Sequence, residues 1–233
     1  MKPHIVSPAT IRCAAALALV ALVGIFGCGS SAKQNSSAAT AATPKAPDVV
    51  PDLVSAANCT VFTTMKDPKE HFHLSLSRKD DDRPAPYISE ADFTPDNLTG
   101  TSNWRSGQDT QQISSIHSDA DAWVAAVILL AAPITQSVVS DLRMAQSTAV
   151  SAGADPVGGY DTTKYTFDTA RLAEPEKLRF EHLMRAKDLS VTGTIWITKD
   201  TSCMVKYVTD YHFTAAKDDS MGSVHNEGSL TKQ

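Results

Sequence analysis

The chain has 233 residues, of which 42% are hydrophobic, 20% are charged and 6% are aromatic. This length allows one domain or two small ones, and the apolar share allows a packed core, which excludes a wholly disordered chain. The same composition excludes a polytopic membrane protein. Because the net charge is -5 and no run is rich in Lys or Arg, nucleic acid is not an expected partner.

The first 27 residues are predicted to be a signal peptide. Lys2, His4 and Arg12 form a short positive region, and residues 13–26 follow it without a charge. As a helix this run would measure about 21 Å, which is shorter than the roughly 30 Å core of a bilayer. We therefore expect a secretory signal over residues 1–27 rather than a transmembrane helix.

The apolar run ends in Ile25-Phe26-Gly27-Cys28, which resembles the lipobox of bacterial lipoproteins. The resemblance implies that the Cys28 thiol carries diacylglycerol and that the chain is cut before it. The expected location is therefore extracytoplasmic and lipid-anchored, and Gly29 after the cysteine resembles outer-membrane sorting where the cell has two membranes. The alternative is an ordinary secretory signal with an incidental cysteine, although no A-x-A-like cleavage site follows the run.

The segment after Cys28 is predicted to be a tether. Residues 29–48 contain no Val, Ile, Leu or aromatic side chain, so nothing there offsets the entropy of ordering the chain. We expect residues 28–48 to be the anchored cysteine and a flexible linker, and residues 49–233 to be a single folded domain.

The domain begins with a predicted helix. Apolar residues recur at spacings of three and four over residues 50–65, which favours an amphipathic helix ending before Pro68. The β-branched residues at 60–64 leave a strand as the alternative. Residues 71–77 alternate between apolar and polar and predict a half-buried strand. Further elements are predicted as follows: a loop over 78–84 and strands over 87–93 and 98–104.

Helices are predicted in the middle of the domain. Ser118 is a candidate cap, with Asp121 three residues later. Residues 122–134 carry no charge, so they are too apolar for a surface helix and too short for a membrane span. A more amphipathic helix follows over residues 136–148, and Gly153 is predicted to end it.

The remainder is predicted to be mostly β. Strands are predicted over 160–168, 189–198, 204–214 and 223–231, and a helix over 172–187. Helices followed by meandering strands indicate an α+β fold built on an antiparallel sheet.

Two stretches resemble the LolA/LppX/LprG superfamily of lipoproteins. They are residues 157–168, VGGYDTTKYTFD, and the hairpin formed by residues 193–198 and 205–210, GTIWIT and VKYVTD. The resemblance implies a half-open antiparallel β-barrel, a curved sheet with helices packed on its concave face. It also implies a role in binding or carrying acyl chains or lipoproteins, without catalysis.

The uncharged helix supplies the candidate ligand contacts. Apolar side chains recur there at helical spacing and would face a ligand under the sheet. The candidates are Trp123, Val127, Ile128, Leu130 and Ile134. The lipid or acylated ligand is the first hypothesis. A structural or interaction lipoprotein with a filled core is the second, and an uncharacterised hydrolase is the third.

His71 and His73 form a possible metal-ligand pattern. Alternate strand residues share a face, so the two imidazoles could chelate, but Phe72 and Leu74 occupy the core face and the histidines should face solvent. No zinc-protease, nucleophile-elbow, P-loop or dinucleotide motif is present. We therefore expect no metal, no cofactor and no identifiable catalytic residue.

The chain has four cysteines, and two of them are predicted to form a disulfide. Cys13 is removed with the signal peptide and Cys28 carries lipid, which leaves Cys59 and Cys203 as a pair in an oxidising compartment. Two buried free thiols are the alternative.

Overall fold

The computed structural model describes residues 49–104, 109–133 and 139–233. The predicted signal peptide, Cys28, the linker and Ile134 lie outside these residues. The described residues form a mixed α+β fold around a curved antiparallel sheet of nine strands. The sheet is unclosed, because its two outer strands do not pair with each other.

All pairs of neighbouring strands in the sheet are antiparallel. The strands are β1 (Phe72–Asp80), β2 (Tyr87–Phe93), β3 (Asn97–Ser102), β4 (Gln111–Ile116), β5 (Val150–Ala154), β6 (Thr162–Asp168), β7 (Ala186–Thr198), β8 (Met204–Ala215) and β9 (Met221–Lys232). Their order across the sheet is β4-β3-β2-β1-β9-β8-β7-β6-β5. The last strand therefore lies at the centre and joins the first strand to the β6–β8 meander.

Four α-helices accompany the sheet in the described residues. They are α1 (Leu53–Cys59), α2 (Ala120–Pro133), α3 (Val139–Gln146) and α4 (Glu174–Met184). None of them is long and apolar enough to cross a membrane. The 3₁₀ turn Thr169–Arg171 joins β6 to the α4 region, where its Thr169 hydroxyl accepts a hydrogen bond from the Val191 amide.

The first element is helical, as the apolar spacing predicted. Asp52 caps α1 by accepting a hydrogen bond from the Ser55 amide, at 2.8 Å. The helix then continues as a π-helical turn, Thr60–Met65, through the β-branched residues that favoured a strand. The Thr60 hydroxyl donates to the Met204 carbonyl of β8, so tertiary contacts hold this segment in place.

Several predicted boundaries are wrong. β1 continues to Asp80, inside the predicted loop over 78–84, because β9 pairs with it through that residue. Arg185 adopts the left-handed conformation at φ 53° and ends α4, so β7 begins at Ala186 within the predicted helix over 172–187.

The two outer strands, β4 and β5, were not predicted. β4 is polar, QQISSI, and lacks a strong alternation, so only its pairing with β3 identifies it. β5 occupies the residues just after 148, where the predicted helix was expected to end at Gly153. Instead, that glycine sits at φ 94° in a bulge against β6.

One face of the sheet, here called the inner face, carries Phe72, Leu74 and Leu76 of β1. These side chains alternate with more exposed ones and are at most 2% exposed. Together with buried residues of α1, α2 and α3 they form one hydrophobic core. The inner face is therefore the side on which an apolar interior lies.

Candidate functional site at the polar end of the inner face

The predicted contacts on α2 lie in the core. Trp123, Val127 and Leu130 are 1%, 4% and 0% exposed. The Trp123 ring packs edge-on against Phe93, with ring centroids 6.2 Å apart, and its Nε1 donates to the Met65 carbonyl at 3.3 Å. The structure therefore brings these three residues together against the sheet.

Ile128 does not share this face, which corrects its place among the ligand contacts. Its side chain is 58% exposed, because the position lies on the opposite side of α2 from Leu130. An uncharged helix does not show from sequence which of its apolar residues point outwards. Ile134 lies outside the described residues.

The core is closely packed beside the π-helical turn. A cavity of about 10 Å³ lies there, lined by Thr60, Leu74 and Tyr207 among others. That volume is about the size of one water molecule. This cavity is therefore too small for a lipid chain.

Beyond Leu76, the side chains on the inner face become polar. Arg78 of β1, Asn226 of β9 and Thr209 of β8 stand in one row across three strands. Asn226 and Thr209 are 3% and 1% exposed, and the Asn226 amide nitrogen donates to the Thr209 hydroxyl at 3.1 Å. Buried polar side chains therefore follow the apolar ones along this part of the inner face.

Asp141, in the first turn of α3, is buried against this row. It is 2% exposed and accepts a hydrogen bond from the Tyr211 hydroxyl. Burial raises the pKa of Asp141 to about 7, although the Tyr211 hydrogen bond and the Arg78 charge both lower it. In the part of the chain that the structure describes, the Oδ2 of Asp141 has no hydrogen-bond partner.

Two tyrosines of β8 face the same region. Tyr207 and Tyr211 are both at most 5% exposed. Burial raises the pKa of each hydroxyl above its ordinary value, and the nearby Asp141 charge adds to the rise. Both hydroxyls are therefore neutral hydrogen-bond donors at any physiological pH. Arg78, Asp141, Thr209, Tyr211 and Asn226 are called the polar cluster below.

An open cleft of about 350 Å³ adjoins the polar cluster. Arg78, Asp80 and Val224 line it from the inner face, and Phe213 lines its far end. The Nε of Arg78 donates to Asp80 at 2.7 Å. Because Arg78 belongs to both the cleft and the cluster, the two are adjacent.

His71, which precedes β1, and His73 within it are placed as the alternation predicted. His71 is exposed, and His73 Nδ1 lies 3.0 Å from Asp92 on the side opposite Phe72 and Leu74. Across the described residues, no three His, Cys, Asp or Glu side chains are grouped closely enough to hold a metal ion.

Cys59 and Cys203 form a disulfide, in agreement with the cysteine count. Their Cα atoms are 5.2 Å apart, within the range that the bond requires. The bond joins the end of α1 to the residue before β8.

The sequence did not reveal the polar cluster. Asp141 is one of many acidic residues, and nothing local distinguishes it from the exposed ones. The alternation of β8 places Tyr207, Thr209 and Tyr211 on one face, which was a usable signal for two inward hydroxyl-bearing rings. The partner from α3 depends on tertiary packing.

Comparisons with known proteins give loose similarities only. No family model matches the sequence, and no curated protein matches it significantly. The crystal structure of LprF from Mycobacterium bovis is similar with a TM-score of 0.31 and 14% identity, covering 79% of this chain and 93% of that one. A DUF1329 family protein from Desulfovibrio piger has a TM-score of 0.21 and 9% identity, covering 79% of this chain and 94% of that one. The likeness is as loose as the sequence resemblance to the LolA/LppX/LprG superfamily, and at these scores neither structure informs the function.

Proposed function

We propose that this protein is a lipid-anchored protein of the bacterial cell envelope that binds or carries a lipid or an acylated partner without catalysis. Cys28 is the anchor, and the linker over residues 28–48 lets the domain act near the membrane. In this proposal the sheet is a half-open barrel, with helices on its concave face. Where the cell has two membranes, the anchor lies in the outer one.

The observation that carries the proposal is the change from apolar to polar side chains along the inner face. An apolar interior meets a buried polar cluster, and the cluster adjoins an open cleft of about 350 Å³. Ligand sites are mostly apolar with a few converging polar groups, and groups with a perturbed pKa concentrate there. This arrangement suits a ligand with an acyl chain and a polar head.

The acyl chain is placed along α2. Trp123, Val127 and Leu130 are buried there and contain no charge, so they offer a continuous apolar contact. In this proposal the acyl chain lies between α2 and the sheet. Ile134 stays a proposed contact, while Ile128 is no longer one.

A structural or interaction lipoprotein with a filled core is the second candidate. The close packing beside the π-helical turn favours it, since that cavity measures only about 10 Å³. In this case α2 would stay on the sheet permanently, and Trp123 would serve only stability.

The test compares two substitutions on the same helix. Ala126 is 5% exposed and faces the interior, whereas Ile128 is 58% exposed. Protein purified from its host is extracted with organic solvent, and bound lipid is identified by mass spectrometry. We expect stoichiometric lipid in the wild type and in Ile128→Phe, and a folded Ala126→Phe protein that has lost lipid.

Three other results would contradict the proposal. Absence of lipid together with destabilisation of Ala126→Phe by about 1–3 kcal/mol, the usual cost of overpacking, would indicate the filled core. Lipid retained in a stable Ala126→Phe protein would place the ligand elsewhere. Turnover of generic ester substrates by the wild type would instead favour a hydrolase.

A further inference from the structure

The buried carboxyl of Asp141 is incompletely satisfied. Its neighbour Tyr211 donates one hydrogen bond, and no partner for Oδ2 is found among the described residues. A buried acceptor without a donor is unfavourable, and such groups are uncommon in folded proteins. The interior at this point therefore lacks a donor that a bound molecule could supply.

The surrounding polar groups are engaged with one another. Asn226 donates to Thr209 at 3.1 Å, and Arg78 donates from Nε to Asp80 at 2.7 Å. These pairs hold the row across the sheet in position. The Oδ2 of Asp141 is thus left without a donor while Asn226 and Thr209 of the polar cluster bond to each other.

The charges near Asp141 indicate which kind of hydrogen-bond donor a ligand could place there. An anionic head group would be repelled by Asp141 and by Asp80 in the adjoining cleft. An ammonium group would be repelled by the Arg78 guanidinium, whose charge already acts on Asp141. A neutral hydroxyl group avoids both penalties and can donate one hydrogen bond.

We propose that the Oδ2 of Asp141 accepts a hydrogen bond from a free hydroxyl group on the bound lipid. The inference rests on the proposed function, because it assigns the polar end of the same ligand. The hydroxyl-bearing end lies at the polar cluster beside the cleft, and the acyl chains extend along the apolar interior. The protein therefore prefers a lipid with a free hydroxyl over one in which that oxygen is alkylated.

Two probes that differ by one methyl group test this preference. They are dioleoylglycerol and the methyl ether of dioleoylglycerol, and their binding to the purified protein is compared by native mass spectrometry at pH 8. At that pH Asp141 is mostly ionised and acts only as an acceptor, because its pKa is raised to about 7. We expect roughly tenfold tighter binding of the free hydroxyl, which corresponds to one lost buried hydrogen bond.

Two substitutions at Asp141 distinguish the effect of the hydrogen bond from the effect of packing. Asp141→Leu removes the acceptor, and we expect it to bind both probes equally. Asp141→Asn can present its amide N–H to the ether oxygen, so we expect the preference to shrink or reverse. Asp161→Asn is the control, because this carboxylate is 68% exposed and pairs with Lys199 at the surface. It should keep the wild-type preference.

The outcomes distinguish this inference from the proposed function. Equal binding of the two probes by the wild type overturns the hydroxyl preference and leaves lipid binding intact. A preference that persists in both Asp141 variants assigns it to another residue and also overturns the inference. If the wild type binds neither probe and carries no lipid from its host, the proposed function fails, and the inference fails with it. Circular dichroism identifies a variant that does not fold, and the other Asp141 variant then decides.

Discussion

The ring of Tyr207 lies over the backbone of Gly228, in the space that a Cβ atom at this position would occupy. The two residues face each other across β8 and β9, and a Cβ at Gly228 would also lie 2.7 Å from Cδ2 of Leu76. Tyr207 adjoins the polar cluster, so the absence of a side chain at Gly228 sets where this ring can lie.

Substitution of Gly228 by alanine is therefore expected to destabilise the domain. Tyr207 is 4% exposed and cannot move without disturbing its neighbours, so we expect a loss of about 1–3 kcal/mol in the free energy of unfolding. Urea denaturation measures this loss. Ser229→Ala, on the neighbouring position of the same strand, should change stability by no more than about 0.5 kcal/mol. A Gly228→Ala protein as stable as the wild type would show that the ring is free to move.

The two faces of α2 are expected to differ in their contribution to stability. Leu130 is fully buried, so Leu130→Ala should cost about 2–5 kcal/mol. Ile128 is 58% exposed, and Ile128→Ala should cost less than about 1 kcal/mol. Thermal or urea unfolding compares the two variants directly. Equal losses would contradict the orientation of the helix.

Asp141 is expected to make stability fall as pH rises. Its pKa is raised to about 7 in the folded protein, against 3.8 for the ordinary carboxyl, so the folded state holds the proton more tightly. Its contribution is fully present below about pH 4, declines as pH rises and is lost above about pH 7. At 1.36 kcal/mol for each unit of pKa difference, the decline is at most about 4 kcal/mol.

Unfolding midpoints of the wild type and Asp141→Asn at pH 4.5, 6, 7 and 8 measure this contribution. We expect the variant to lack the decline and to be the more stable protein at pH 8. Asp161→Asn, which removes an exposed carboxyl, should follow the wild-type profile. Parallel profiles for wild type and Asp141→Asn would contradict the raised pKa.

The disulfide is expected to form during export and to contribute substantially to stability. Cys59 and Cys203 are separated by 144 positions, and the chain-entropy model gives about 4–5 kcal/mol for a loop of this length, as an upper value. The double variant Cys59→Ser/Cys203→Ser should lose a comparable amount. Alkylation of exported protein without a reductant should label neither cysteine, and labelling of both would show free thiols.

Cys28 is expected to be the acylated N-terminus of the mature chain. The uncharged run over residues 13–26 and the Ile-Phe-Gly-Cys junction motivate this prediction. Cys28→Ser should leave the precursor unprocessed by the lipoprotein signal peptidase. Mass spectrometry of the wild-type N-terminus should show an acylated cysteine. Normal maturation and membrane retention of the variant would contradict the anchor.

Strong local patterns were sufficient to predict the central part of the fold. Residues 71–77, 189–198 and 204–214 were each predicted to be strands, and apart from His71 they lie in β1, β7 and β8. The first helix followed from apolar spacing, and the disulfide followed from counting cysteines in an exported chain. These features depend on neighbouring residues or on simple counting, so one sequence contains them.

Features that depend on distant contacts were not predictable. β4 is polar and is defined by its pairing with β3, and β5 owes its direction to a bulge at Gly153. The orientation of Ile128 required knowing which side of an uncharged helix meets the sheet. Asp141 differs from the exposed acidic residues because α3 packs it against β8. No local sequence pattern predicts that a carboxyl group will be buried.

The position of the disulfide determines how the domain would respond to mechanical load. Force applied to the chain before Val49 would act first on α1, and unwinding that helix would end at Cys59, where the load passes through the covalent bond to Cys203. From there it enters β8, which pairs with β7 and β9 on either side. The π-helical turn and β1 would therefore be shielded from the pull. Reduction of the bond would remove this protection. The chain would then transmit the same force through Thr60–Met65 towards the centre of the sheet.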